Sequence, residues 1–187
     1  MGIGAGSGSK ACDVFLHELG QLTAPRVLEL GTLQSEPGRS THHAAWLPEG
    51  STHVKSDIEA GPDVDVVADA HDLESVFGRE AFDVLIAVSV WEHLERPWIA
   101  ARELHAIMYE GAIAYICTHQ TFPIHAYPSD FFRFSDDGLA ALFDWAGFEV
   151  LAKSYAYPCT IVPPPEITVW NPAAPAFLNV DVCVRAR

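Results

Sequence analysis

Hydrophobic positions along the chain fall into short continuous runs, separated by stretches in which apolar residues recur every three or four positions. The first pattern predicts buried strands and the second amphipathic helices. Ser9 can cap a helix whose Val14, Phe15 and Leu19 share a face and which Gly20 ends. Arg26 to Leu30 then reads as a strand running into Gly31, followed by a long turn containing Pro37 and Gly38. A short helix is predicted from Ser40-Thr41 to Trp46-Leu47, a strand from Thr52 to Ile58 and another from Val64 to Asp69. After a brief helix over Leu73 to Phe77, Phe82 to Val90 forms the most continuous apolar run, as expected of a central strand covered on both faces.

Pro97 suits the first turn of the next helix, which carries Ile99, Leu104 and Ile107 and stops at Gly111; Ala112 to Thr118 follows as a strand. A polar and aromatic loop from His119 to Phe134 leads to a helix capped by Ser135 and closed by Gly147. Two more strands are expected at Phe148 to Tyr157 and Phe177 to Val184, with a proline-rich insertion, 158–175, between them. No helical pattern separates this last pair, so they can run antiparallel. Alternating strands and helices closed by an antiparallel strand predict a Rossmann-like three-layer αβα sandwich around a mostly parallel, seven-stranded sheet.

Length adds that 187 residues suit one domain, here 1–187, with the Gly/Ser-rich residues 1–8 as a flexible leader. Twenty-five acids against eleven bases give a net charge of −14, which repels polyphosphate and argues against a nucleic-acid partner. No apolar run is long enough to span a bilayer, and nothing resembles a signal peptide, so the expected location is cytoplasmic with no membrane partner. Cys12, Cys117, Cys159 and Cys183 are scattered, as befits reduced thiols. The adjacent His42-His43 pair reads as solvated helix surface, and Trp91, Trp98 and Trp145 read as core.

Candidate chemistry sits at strand ends. Three successive strands finish near an acid, Glu29, Asp57 and Asp69, and parallel strands bring such ends to one edge of a sheet. Carboxylates there would accept hydrogen bonds from a diol and from amines. The loop after the fifth strand gathers His119, His125, Asp130 and Arg133 among aromatics, and His93 follows the fourth strand on the same edge. Histidine is the natural general base near neutral pH, so the expected catalytic residues are His125, His93 and Asp130. No metal ligand is expected: a divalent ion at Asp136-Asp137 or nearby histidines is unsupported, because helix capping explains those acids.

The same residues carry a resemblance. Val27-Leu-Glu-Leu-Gly31, Ser56-Asp57-Ile58, Val66-Val-Ala-Asp69-Ala70-His-Asp-Leu73, Phe82-Asp-Val84 through Trp91-Glu92-His93 and the phrase His125-Ala-Tyr-Pro-Ser-Asp130-Phe-Phe-Arg133 resemble, in order, motifs of the class I S-adenosylmethionine-dependent methyltransferases of the methyltransferase domain 11 type. The resemblance implies S-adenosylmethionine as cofactor. Glu29 and Gly31 would face its methionine part, Asp57 and Ile58 its ribose side, Asp69 and Ala70 its adenine, and Ser89 its reactive centre. It also implies methyl transfer, here expected to the hydroxyl of a small molecule or sugar. The family's Gly-x-Gly-x-Gly turn is reduced to Gly31-Thr-Leu-Gln-Ser35. Two alternatives stay open: a methyltransferase-like binding or assembly module without turnover, and a nicotinamide-dependent oxidoreductase, disfavoured by the absent Gly-x-Gly-x-x-Gly turn. Apolar residues in the proline-rich insertion suggest a homodimer contact.

Overall fold

Why the chain folds into alternating layers is visible in its central strands. A computed structural model describes residues 8–34, 36–125, 128–167 and 176–187. In it, β1 (Arg26–Leu30) and β4 (Phe82–Val88) lie side by side and parallel, with Leu28 opposite Leu85 and Glu29 opposite Ile86. Alternate residues face opposite layers. Leu28, Leu85 and Ala87 enter one core with Leu104, Phe143 and Phe148, and Val27, Val84 and Ile86 enter another with Phe15, Leu19 and Tyr115.

The remaining strands are β2 (Thr52–Asp57), β3 (Val66–Val67), β5 (Met108–His119), β6 (Phe148–Cys159) and β7 (Ala176–Ala186). They complete a sheet of seven strands, the number the alternation predicts, in the order β3-β2-β1-β4-β5-β7-β6. β7 runs antiparallel to both neighbours and sits between β5 and β6. Helices α1 (Lys10–Leu19), α2 (Leu73–Phe77), α3 (Pro97–Ile107) and α4 (Asp136–Trp145) cover the faces.

Helix α1 starts where a serine can cap it: Ser9 Oγ accepts from Cys12 N, and Gly20 terminates the last turn. Its first-turn Ala11 N–H is met by Ser154 Oγ on β6 at 2.9 Å. Beneath it, the wholly buried Asp181 of β7 accepts from Ser9, from Tyr115 Oη at 2.9 Å and from Ser154 at 2.9 Å. Burial pushes the Asp181 carboxyl up despite those three hydroxyl donors.

Several expectations change. The helix expected between Ser40 and Leu47 is one 3-10 turn, Ala44–Trp46, so that layer is thin beside β1. β3 shrinks to Val66–Val67, because at the sheet edge Asp65 turns its carboxylate back onto Lys55 N. β4 stops at Val88, since Ser89 takes φ +56°, outside any strand conformation. β5 begins at Met108, earlier than the glycine suggests, and the register with β4 slips between Phe82 and Val84. Trp91 is core as expected, but Trp98 and Trp145 are exposed. All four cysteines are free thiols, three of them buried. Val169 and Trp170 of the proline-rich insertion, Ser35 and the leader to Ser7 lie outside the described residues.

Candidate active site

The carboxyl ends of β1, β2, β4 and β5 share one edge of the sheet, and the sequence-predicted residues lie on the strands or on the segments that follow them. Alternation along β1 turns Glu29 into the thin layer, where its side chain is 4 % exposed. There it accepts from His43 N at 3.0 Å, His43 Nδ1 at 2.7 Å and His53 Nε2 at 2.9 Å. Burial raises the Glu29 carboxyl, but the two histidines outweigh it and hold the pKa at about 2. A carboxylate offers about four lone-pair positions, so three donors leave room for one more. His43 is therefore a partner of Glu29 and not solvated surface. The period-2 pattern of β2 carried that signal for His53, which pairs with Val27 and so faces the same layer as Glu29.

At the end of β2, Asp57 holds the turn that follows β1. Its Oδ2 accepts from Leu33 N at 3.1 Å and its Oδ1 from Glu59 N at 3.3 Å. The turn is further pinned where Thr32 Oγ1 donates to the Asp63 carbonyl at 2.8 Å. Gly31 has φ +78°, and a side chain there would collide with Val90, so the position demands glycine on both counts. Leu33 fills the space that a Cβ on Gly61 would need. The glycines missing from this turn are thus replaced by one leucine seated on a distant glycine.

Next along the edge, Ile58 is 53 % exposed and Val67 50 %, two apolar side chains left facing solvent beside acids. Asp69 receives His71 N at 2.9 Å and His71 Nδ1 at 2.7 Å, while Ala70 is buried. Burial acts to raise the Asp69 carboxyl, and the His71 hydrogen bonds lower it overall. Ser89 is exposed, with its N–H donating to the Cys117 carbonyl at 2.8 Å, which ties the end of β4 to β5. A non-glycine residue at φ +56° is strained, and such strain collects at functional positions.

Beyond Ser89 the chain turns through Trp91–His93, and this turn carries the second half of the site. Glu92 is fully buried. Its Oε2 accepts from Thr118 Oγ1 at 2.7 Å, and its Oε1 lies 3.0 Å from His119 Nε2 and 3.7 Å from His93 Nε2. Burial works to raise the Glu92 carboxyl, yet the His119 contact keeps it below its ordinary value. The His93 and His125 ring centroids are 4.9 Å apart and those of His119 and His125 5.3 Å.

The following loop is stitched onto this turn: Phe131 N and Phe132 N donate to the Glu92 carbonyl, and Phe134 N to that of His119. Asp130 accepts His125 N at 2.9 Å and pairs in bidentate fashion with Arg133, which also reaches the Phe122 and Pro123 carbonyls. Arg133 holds the Asp130 carboxyl well below the usual range. The loop residues Phe122, Ile124, Asp130, Phe131, Phe132 and Arg133 line a shallow concavity of about 300 Å³. Glu92 and His119 were not among the residues expected to act. The signal available was an acid in the turn after one apolar strand and a histidine at the end of the next.

Residues 44–116 match the family model described as a methyltransferase domain. The match begins after the turn that follows β1, the segment in which this chain departs from the family's glycine pattern. None of the curated protein sequences matches the chain. Among solved structures, the 1,6-didemethyltoxoflavin-N1-methyltransferase of Burkholderia thailandensis, bound to 1,6-didemethyltoxoflavin and S-adenosylhomocysteine, superposes with a TM-score of 0.65 at 18 % identity, over 94 % of this chain and 76 % of that one. An S-adenosylmethionine-dependent methyltransferase from Archaeoglobus fulgidus gives 0.64 at 14 %, over 92 % and 93 %. One from Mesorhizobium loti gives 0.61 at 14 %, over 92 % and 96 %.

Proposed function

We propose that this chain is a class I S-adenosylmethionine-dependent methyltransferase, a reading supported by its fold and its matched domain, and that it methylates a hydroxyl of a small molecule or sugar. The observation that carries the acceptor half is the gathering of His93, His119 and His125 around one buried carboxylate, beside Ser89, on the edge where Glu29, Asp57 and Asp69 end. A hydroxyl needs its proton removed as it attacks, which a neutral imidazole can do. An already ionised thiolate would need no such group.

The cofactor, when bound, supplies an electrophilic methyl on a sulfonium. The edge fits it: exposed Ile58 and Val67 offer apolar surface for a purine ring, Asp69 with Ala70 can meet its amine, and Asp57 can meet a ribose diol once it releases Leu33 N–H. Gly31, Ser89 and the one open position on Glu29 would face the methionine portion. His93 donates its Nδ1 proton to the Ser129 carbonyl at 2.5 Å, leaving Nε2 as the basic nitrogen. Asp130 acts on His125 by fixing its backbone, and Arg133 fixes Asp130 in turn; these two are positioning residues in this reading. The aromatic concavity beside them would receive the acceptor. A cytoplasmic location is in keeping with the reduced thiols; among the described residues no helix is long and apolar enough to cross a membrane.

A second reading is favoured by the turn after β1. Asp57 and most of Glu29 are already satisfied internally, which suits a module that kept the fold and lost turnover. Calorimetric titration with S-adenosylmethionine, S-adenosylhomocysteine and NAD separates the readings. Both adenosyl ligands should bind and NAD should not; Asp57→Ala should weaken binding by about 10-fold or more. His125→Ala should spare binding and slow methylation of a hydroxyl panel by about 100-fold. Folded protein that binds neither adenosyl ligand would sink the methyltransferase reading, while binding without transfer to any hydroxyl would favour the module.

A further inference from the structure

We propose that Glu92, His119 and His125, with His93 beside them, form a binding site for a divalent transition-metal ion such as Zn²⁺ or Co²⁺. Each of the first three presents one ligating atom, and those atoms all lie within 4.8 Å of one another. One carboxylate oxygen with imidazole nitrogens is the donor set that such ions favour.

The orientation of the rings strengthens the case. His93 Nδ1 is 2.5 Å from the Ser129 carbonyl, which can only accept, so that nitrogen carries the proton and Nε2 carries the lone pair. His119 Nδ1 is 3.3 Å from Asn179 Oδ1, and the Asn179 Nδ2 donates to Cys117 Sγ. In the neutral tautomer with Nδ1 protonated, the His119 Nε2 carries the lone pair; with Nε2 protonated it donates to Glu92 instead. Both Nε2 atoms nevertheless point at the same acceptor, Glu92 Oε1, at 3.7 and 3.0 Å. That oxygen is buried and receives no regular hydrogen bond, since Thr118 serves the other one. Lone pairs converging on a buried anion call for positive charge between them. A second proton on His119 would serve that one contact. A divalent ion would serve the whole group, and it avoids placing several imidazolium rings about 5 Å apart in a buried setting.

Oxygen and amide groups behind the outer ring nitrogens are the usual supports of metal-bound histidines, because they fix both tautomer and ring angle. Tetrahedral ligands about 2.0–2.3 Å from zinc stand roughly 3.3–3.7 Å apart, so the set must close by about 1 Å. His125 would close on the set by rotation of its side chain about a backbone held by Asp130, while Glu92 and His119 lie on a core turn and a strand. Three protein ligands leave a position for an acceptor oxygen, whose proton a bound metal would make easier to lose. That last role rests on the hydroxyl reading above; the site itself does not.

The test uses the full chain stripped with a chelator and titrated with ZnCl₂ by calorimetry and with CoCl₂ by visible absorption. The expected result is one ion per chain and the intense visible bands of a four- or five-coordinate cobalt centre. His119→Ala and His125→Ala should each weaken Zn²⁺ binding by about 100-fold, while His17→Ala, an exposed residue of α1, should leave it unchanged. Because removing the wholly buried Glu92 could unfold the chain, His125→Ala, with its circular dichroism recorded, is the deciding variant. Folded wild-type protein that binds neither ion, or binding that survives both histidine variants, would overturn the proposal. Neither outcome depends on cofactor or methyl transfer, so failure here leaves the hydroxyl reading standing.

Discussion

At the scale of single residues, Glu29 shows how a buried charge is kept. Its carboxylate is held down to about 2 by His43 and His53 against the upward pull of burial. A carboxyl whose folded value lies below its ordinary value near 4.5 stabilises the fold fully above that value and loses its contribution as pH falls from about 4.5 toward 2. Denaturant unfolding of the wild type should therefore weaken across that acid window. Glu29→Gln should be about 2 kcal/mol less stable at pH 7 and should lack this component of the acid loss. An equal acid dependence in the variant would mean that the histidines do not hold Glu29 as described.

At the scale of elements, α1 is secured from below by a carboxylate. Ser9 caps the helix and also donates to Asp181, so Ser9→Ala removes a cap and a donor to a buried acid. The expected loss is about 1–2 kcal/mol. Asp181 has a raised folded pKa, so its stabilising contribution is complete at low pH and is lost as pH rises through that value. The Ser9→Ala deficit, followed by thermal unfolding across a pH series, should accordingly grow as pH rises through the raised Asp181 value; a deficit independent of pH would reduce Ser9 to an ordinary cap.

Elements with a strong local signal were legible in the sequence, and those decided by tertiary context were not. The Ser9 and Ser135 caps, the Pro97 start and the apolar runs of β1 and β4 each carry their cause within a few residues. The short β3, the lost helix at Ser40 and the early start of β5 depend on partners elsewhere: Lys55, the thin layer and Phe82. The site divides in the same way. The three acids were visible at or just beyond the expected strand ends, whereas His43 and His53 at Glu29, and His119 at Glu92, became recognisable only when strand register and loop stitching brought them together.

For the molecule as a whole, the position of β7 has a consequence in time. It supplies the inner neighbour of β6 and the outer neighbour of β5, and its Asp181 anchors α1. Until this late segment of the chain arrives, β6 has no strand to pair with, β5 has an open edge and Tyr115 has no acceptor from β7. Such long-range pairing is slow to form, and unpaired edges invite association between chains. During refolding, pulse-labelled hydrogen exchange should find the amides of α1, β6 and β7 gaining protection together, after those of β1, β2 and β4. Protection of β6 ahead of β7 would contradict that order. A ribosome-bound chain halted before Ala176 would then carry the two acid-bearing strands β1 and β2 paired with the central β4, and yet present a sticky half-sheet, so this protein most needs shelter from its own copies until β7 has been made.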